Sequence, residues 1–251
     1  MRKIPVLYYH DVVARGEGFS YQKIEEQNFE GQMKYLFDNG YKSIRFSDII
    51  GNPAADYKKC VVITFDDGFK GVVKRAVPIL KKYGFVASVF VATGLLNTDG
   101  LFSLDDAVKY SNEGVLELCA HTETHPDMRY LSKDQIADEF IVSNKKLTEI
   151  TKNKPRIFCI PFGAYDKKSA KYIFEIGAYD MVFASFYGFL NTANFKNKLL
   201  PRIGIKNEDG VNKFASKVKG RYNLKGTLQR MRNVYRNMLG NKLKFNKDGK
   251  Q

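Results

Sequence analysis

Histidine is scarce in this chain, three in 251 residues, and cysteine is equally scarce. Cys60, Cys119 and Cys159 lie in or beside apolar runs with no CxxC spacing, which argues against a disulfide scaffold and predicts small buried hydrophobes in a reducing compartment. No stretch approaches the roughly 18 uninterrupted apolar residues of a membrane span. Met1-Arg-Lys runs straight into a strand-like segment instead of a signal-peptide core, so the expectation is a cytoplasmic protein. No G-x-G-x-x-G follows the first strand-like run, which disfavours a doubly wound dinucleotide-binding sheet. Acidic residues nearly vanish toward the end: from Asn212 onward twelve Lys or Arg stand against Asp248 alone, so that segment supplies +11 of the formal +14. The preceding body is close to electroneutral.

What is present suits one large domain. A chain with 44% hydrophobic and 14% aromatic residues can bury a sizeable core, which excludes disorder. Short β-branched or aromatic runs at 4–9, 41–46, 60–65, 85–91, 115–120, 157–161, 179–184 and 200–205 alternate with helix-patterned stretches. Phe29, Met33, Leu36 and Phe37 fall on one helix face, closed by Gly40, as Gly84 and Gly177 are expected to close two others. Ser132-Lys-Asp-Gln135 is a capping-box pattern opening a helix with a stripe through Ile136, Phe140, Leu147 and Ile150. Seven or eight βα repeats predict an α/β fold, an irregular (β/α)7–8 barrel in a single domain over 1–206. Residues 207–251 are expected to form a basic helical extension.

Three segments carry the chemistry. Ile63-Thr-Phe-Asp-Asp-Gly68 puts two adjacent carboxylates at the mouth of an apolar strand, where burial and like-charge repulsion demand a cation or hydrogen-bond donors, unless the triplet is simply a polar turn. Cys119-Ala-His-Thr-Glu-Thr-His-Pro126 places His121 and His125 four residues apart, a spacing that directs two imidazoles at one point. Two His and one carboxylate form a common catalytic metal set with open positions for water and substrate. The third segment, Tyr8-Tyr-His-Asp-Val12, ends a strand on His10, by itself most simply a core histidine satisfied by a carbonyl.

Together with Pro161-Phe162-Gly163, the Thr64–Gly68 and His121–His125 segments resemble the polysaccharide deacetylase family, the NodB-homology proteins or carbohydrate esterase family four. The resemblance covers roughly residues 4–205. It implies that Asp67, His121 and His125 hold a divalent ion, zinc before cobalt, nickel or manganese, and that Asp66 is the general base for the attacking water. It also implies that the backbone N–H of Phe162 faces the oxyanion. Most members carry an Arg in the third motif that pairs with the base, where this chain has Cys159, and a late L-x-H, whereas no His follows His125. Arg202, in Leu199-Leu-Pro-Arg-Ile-Gly-Ile205, is the candidate to pair with Asp66 instead. The early Tyr-His resembles circularly permuted members and makes His10 the expected general acid, with Asp11 or another carboxylate orienting its ring.

The expected function is therefore a metal-dependent hydrolase removing N-acetyl groups from an amino-sugar-containing polysaccharide or glycan. An O-acetyl carbohydrate esterase and a non-catalytic glycan or anionic-polymer binder are the alternatives. Near the C-terminus Leu224, Leu228, Met231, Tyr235 and Met238 share one helical face opposite Lys225, Arg230, Arg232 and Arg236. Such a helix either packs on the barrel or lies on an anionic membrane surface. Nucleic acid is disfavoured, because Phe214, Tyr222, Tyr235 and Phe245 show no stacking pattern.

Overall fold

The computed structural model describes residues 3–18, 20 and 22–221. The helix expected over 224–238 lies outside them.

The principal sheet is parallel throughout. Its strands are β1 (Val6–Tyr9), β2 (Cys60–Phe65), β3 (Ala87–Val91), β4 (Leu116–Ala120), β5 (Ile157–Cys159), β6 (Met181–Phe183), β7 (Leu199–Leu200) and β8 (Ile203–Gly204). The hydrogen-bonded path runs β7-β6-β5-β4-β3-β2-β1-β8, so its two edges are consecutive strands separated only by Pro201 and Arg202. The sheet curls until its edges adjoin, which makes an irregular barrel of the expected class. The single run expected at 200–205 is thus two strands on opposite edges. Proline has no N–H to continue a ladder, and Arg202 N–H leaves the sheet to bond Phe186 O at 3.0 Å.

Helices α1 (Glu26–Asp38), α2 (Phe46–Gly51), α3 (Val77–Lys82), α4 (Leu104–Asn112), α5 (Lys133–Thr151), α6 (Lys167–Ile176) and α7 (Val211–Val218) accompany the sheet. The Ser132–Gln135 box caps α5 reciprocally, with N–H to side-chain distances of 2.8 and 3.2 Å, and the buried stripe is the expected one with Ser143 added. In α1 Phe29, Met33 and Leu36 are buried, but Phe37 is 57% exposed. Gly40 and Gly84 take φ of +70° and +67° after their helices, whereas Gly177 stays at −65° and Ala178 makes the left-handed step. Glycine is needed at 177 for clearance, since a Cβ there would lie 2.6 Å from Ile173 O.

Of the strand expected over 41–46, only Lys42–Ser43 pairs, with Cys60–Val61. The Glu117 carboxylate accepts the N–H groups of Phe46 and Ser47 at 3.0 and 2.9 Å, so helix α2 starts where the strand was expected to end. At the other end α7 buries Phe214 and Val218, and Phe214 meets Tyr35 of α1 edge-on. The packed body therefore continues past residue 206. Among the described residues no helix is long and apolar enough to cross a membrane.

Two apolar clusters divide the strands by parity. Leu7, Tyr9, Ile63, Phe65, Val89, Val91, Leu118 and Phe158 belong to the cluster that also holds the faces of every helix but α2, whose Phe46 and Ile49 join the other. Val6, Val62, Phe90, Cys119, Cys159, Phe183 and Leu200 belong to the cluster inside the barrel. Because side chains alternate along a strand, Tyr8, His10, Thr64, Asp66 and His121 continue the inward set toward the C-terminal ends.

Candidate active site

At that end one cavity of about 340 Å³ is lined by His10, Asp66, Asp67, His121, His125, Phe162 and Arg202, the seven residues singled out in the sequence. Tyr8, Gln22, Ser185, Tyr187 and Lys217 complete much of its wall.

Asp67 Oδ1 lies 3.4 Å from His121 Nε2 and 3.2 Å from His125 Nε2, and the two nitrogens are 3.2 Å apart. A tetrahedral centre with bonds of about 2.0–2.1 Å has an edge of about 3.3–3.4 Å, so these three atoms match one face of such a site. His121 Nδ1 sits 2.7 Å from Cys159 O, and donating its N–H there leaves Nε2 as the free ligand atom. The donor set therefore fits one divalent cation. Without a cation the cluster binds protons: hydrogen bonds to both imidazoles overcome burial and hold the Asp67 carboxyl far below the usual range. For His121 burial pulls the other way, but the hydrogen bond to Asp67, with the Cys159 side chain and Asp66 behind it, pushes its pKa up to about 10.

The backbone is bent to make this triangle. Asp67, Thr122, His125 and Phe162 are non-glycine residues with φ of +70°, +69°, +58° and +58°. Such conformations cost of order 1–3 kcal/mol each and persist where neighbours over-determine them. The Glu139 carboxylate of α5 is one such neighbour: it accepts Glu123 N–H at 2.8 Å, Thr124 N–H at 2.9 Å and the Thr124 hydroxyl at 2.6 Å. Thr122 Oγ1 accepts His125 N–H at 3.0 Å. The Phe162 ring packs edge-on against His125 with centroids 4.4 Å apart.

Asp66 is buried and meets Arg202 through both oxygens, Nη1 to Oδ1 at 2.6 Å and Nη2 to Oδ2 at 2.8 Å. Burial opposes its charge, but the guanidinium wins and keeps the carboxyl below its ordinary value. Arg202 is 1% exposed and its guanidinium lies over the rings of Tyr8 and Phe90, with Cζ 4.5 and 5.2 Å from their centroids. Cys159 Sγ, a carboxylate oxygen of Asp66 and a ring nitrogen of His121 all lie within 4.8 Å of one another. A thiol there is small enough to leave room for the incoming guanidinium.

His10 Nε2 is 4.0 Å from Asp66 Oδ2. Burial lowers its pKa, against the pull of Asp66 and Asp67. Asp11 does not orient this ring. Successive strand residues face opposite ways, and Asp11 lies against Gly71, where a Cβ would come 2.1 Å from its Oδ1.

Tyr8, Phe90 and Glu139 escaped the sequence reading. Tyr8 and Phe90 meet Arg202 from distant parts of the chain, Glu139 reaches back from α5 to the loop before it, and no spacing rule announces an aromatic ring as the bed of an arginine.

Comparisons with known proteins bear on the family and the fold. The family model described as polysaccharide deacetylase matches residues 54–180. YxkH of Bacillus subtilis, whose name places it among polysaccharide deacetylases, is 28% identical over 172 residues. That match covers 67% of this chain but only 60% of YxkH. Poly-β-1,6-N-acetyl-D-glucosamine N-deacetylase of Staphylococcus aureus is 26% identical over 208 residues, covering 74% of this chain and 68% of that one. The crystal structure of a polysaccharide deacetylase from Bacillus cereus superposes with a TM-score of 0.77 at 26% identity, over 86% of this chain and 69% of its own. The chain belongs to the polysaccharide deacetylase family.

Proposed function

We propose that the protein is a metal-dependent N-deacetylase of amino-sugar-containing glycans. The observation that carries this reading is one cavity holding both the Asp67–His121–His125 triangle and the Asp66–Arg202 pair. Asp67, His121 and His125 would hold the ion, zinc first among candidates for an N,N,O set. When bound, it supplies Lewis acidity toward a water and the acyl oxygen.

The chain's own groups do the rest. Asp66, kept ionised by Arg202, receives the proton of the attacking water. The Phe162 N–H faces the developing oxyanion. His10 gives a proton to the departing nitrogen, and a lowered pKa makes its protonated form a readier donor. That last group favours an amide over an ester, because an amine leaves poorly without a proton. The Staphylococcus aureus relative's name supports N-acetylglucosamine units as the substrate class.

Acetylated chito-oligosaccharides, β-1,6-linked N-acetylglucosamine oligomers and acetylated xylan, each with and without chelator, test the proposal by mass spectrometry. Chelator-sensitive loss of acetyl from the amide substrates is expected. Loss from xylan alone would make the protein an esterase, and no loss from any would leave a glycan binder.

The excess of Lys and Arg from Asn212 onward supports a further element of the proposal, peripheral contact with anionic membrane surfaces. Flotation with anionic but not neutral vesicles, lost on deleting 222–251, is the expected result. Equal binding by the truncated chain would refute it.

A further inference from the structure

Tyr8 stands at a position that neither the metal triangle nor the proton-transfer groups account for. It is on β1 two residues before His10, so its side chain points the same way, into the barrel. Its ring packs edge-on to the His10 imidazole, with centroids 5.9 Å apart and planes at 75°. The same ring lies on the Arg202 guanidinium, Cζ 4.5 Å from its centroid. Phe90 is the second ring beside Arg202, 5.2 Å from Cζ to centroid, and is also near His121, with centroids 6.2 Å apart. Tyr8 is thus the ring that touches both the partner of the expected base and the expected acid.

Its freedom is limited from the third side. Gly204 of β8 is the register partner of Tyr8 across the parallel pair. A Cβ on Gly204 would come 2.7 Å from the tyrosine hydroxyl and 2.8 Å from Cζ, so the phenol end of the ring lies against a residue with no side chain. Only glycine leaves that path open.

We infer that Tyr8 is a positioning residue that couples the two proton-transfer groups, bracing Arg202 against Asp66 and His10 toward the same carboxylate. The inference rests on the amidase reading for the role of His10, but the hold on Arg202 stands apart from it. A ring is what the geometry uses, since both contacts are made by the aromatic body. The hydroxyl's hydrogen bond to Ser185 lies outside both contacts.

Three variants test this: Tyr8→Leu, Tyr8→Phe and Gly204→Ala. Each is assayed for metal content, for kcat and KM on an acetylated chito-oligosaccharide, and for hydrolysis of 4-nitrophenyl acetate, whose leaving group needs little protonation. Tyr8→Leu should keep its metal and lose of order 10²-fold in kcat on the amide, the scale of a small misplacement of reacting groups, with KM little changed. The ester should lose less, because only the base half of the coupling bears on it. Tyr8→Phe should restore most of the loss. Gly204→Ala, which retains the tyrosine but obstructs its ring, should fall between. The guanidinium resonances of ¹⁵N-arginine-labelled protein report Arg202 without any turnover: one slowly exchanging set should vanish in Tyr8→Leu and return in Tyr8→Phe.

Wild-type kcat in Tyr8→Leu, or a loss confined to KM, overturns the inference. So does a Tyr8→Phe protein as impaired as Tyr8→Leu. If Tyr8→Leu fails to fold, Gly204→Ala with wild-type kcat and unchanged guanidinium signals is the refuting result. A wild-type protein that cleaves the ester and no amide sinks the amidase reading, while the ester rates and the arginine signals still decide whether Tyr8 holds Arg202.

Discussion

Replacing Arg202 by methionine removes a guanidinium from a place where nothing else can neutralise the Asp66 carboxylate as well. Two charge-assisted hydrogen bonds of 2.6 and 2.8 Å disappear. Bonds of that kind contribute about 1.5–3 kcal/mol each. Removing one partner of a buried ion pair costs about 3–5 kcal/mol, because the survivor keeps its desolvation penalty. Urea unfolding of the metal-free Arg202→Met protein at pH 7 should show a loss of that size. Asp66→Asn alone strands the arginine and should also destabilise. The double variant, with neither charge, should regain much of the loss, since buried pairs exchanged for neutral groups are often neutral in stability. The sign with pH follows. In the wild type the folded pKa of Asp66 is depressed, so its contribution is present above the unfolded value of about 3.9 and is lost as pH falls through the folded one. In Arg202→Met burial raises the folded pKa instead, so the penalty grows as pH rises above about 4 and is relieved by acid. Lysine should not substitute, because a point ammonium cannot span both oxygens. Additive single-variant losses in the double variant, or an Arg202→Met deficit unchanged between pH 4 and 7, would refute the reasoning.

Metal uptake should release protons, because the metal-free His121 carries one with a pKa pushed up to about 10. Affinity should therefore climb about tenfold per pH unit for each proton displaced, and calorimetry in buffers of different ionisation enthalpy checks it. In the metal-free protein the same shift stabilises fully below the unfolded histidine value of about 6.5, and that contribution is lost as pH rises through about 10. Glu139→Gln should weaken metal binding about 10–100-fold, the usual scale for outer partners of a ligand loop, measured by competition with a chromophoric chelator. His10→Ala should keep metal and fold but lose roughly 10²–10⁴-fold in kcat on an amide and much less on an activated ester. Asp66→Asn should retain metal by elemental analysis and lose turnover on both.

Much of this architecture was legible because strand parity and motif chemistry reinforce each other. Val62, Thr64 and Asp66 point inward for the same reason, and so do Cys119 and His121. An apolar strand that ends on an inward polar residue therefore announces a pocket wall. Elements set by distant partners were less legible. The end of the strand predicted over 41–46 depends on Glu117, whose carboxylate caps α2 from 70 residues away. The predicted 200–205 strand hid a change of sheet edge, visible in retrospect only as the proline at 201. Cys159 and Arg202 show the same limit from the other side. Both meet at Asp66: the Cys159 thiol at the end of β5 lies within 4.8 Å of an Asp66 oxygen, and the guanidinium arriving between β7 and β8 reaches the same carboxylate, close enough for Cys159 to act on its charge. A substitution of Cys159 by a longer residue should thus act on Asp66 through displaced Arg202. The sequence shows these residues 43 positions apart, and only the closing turn of the sheet makes them neighbours.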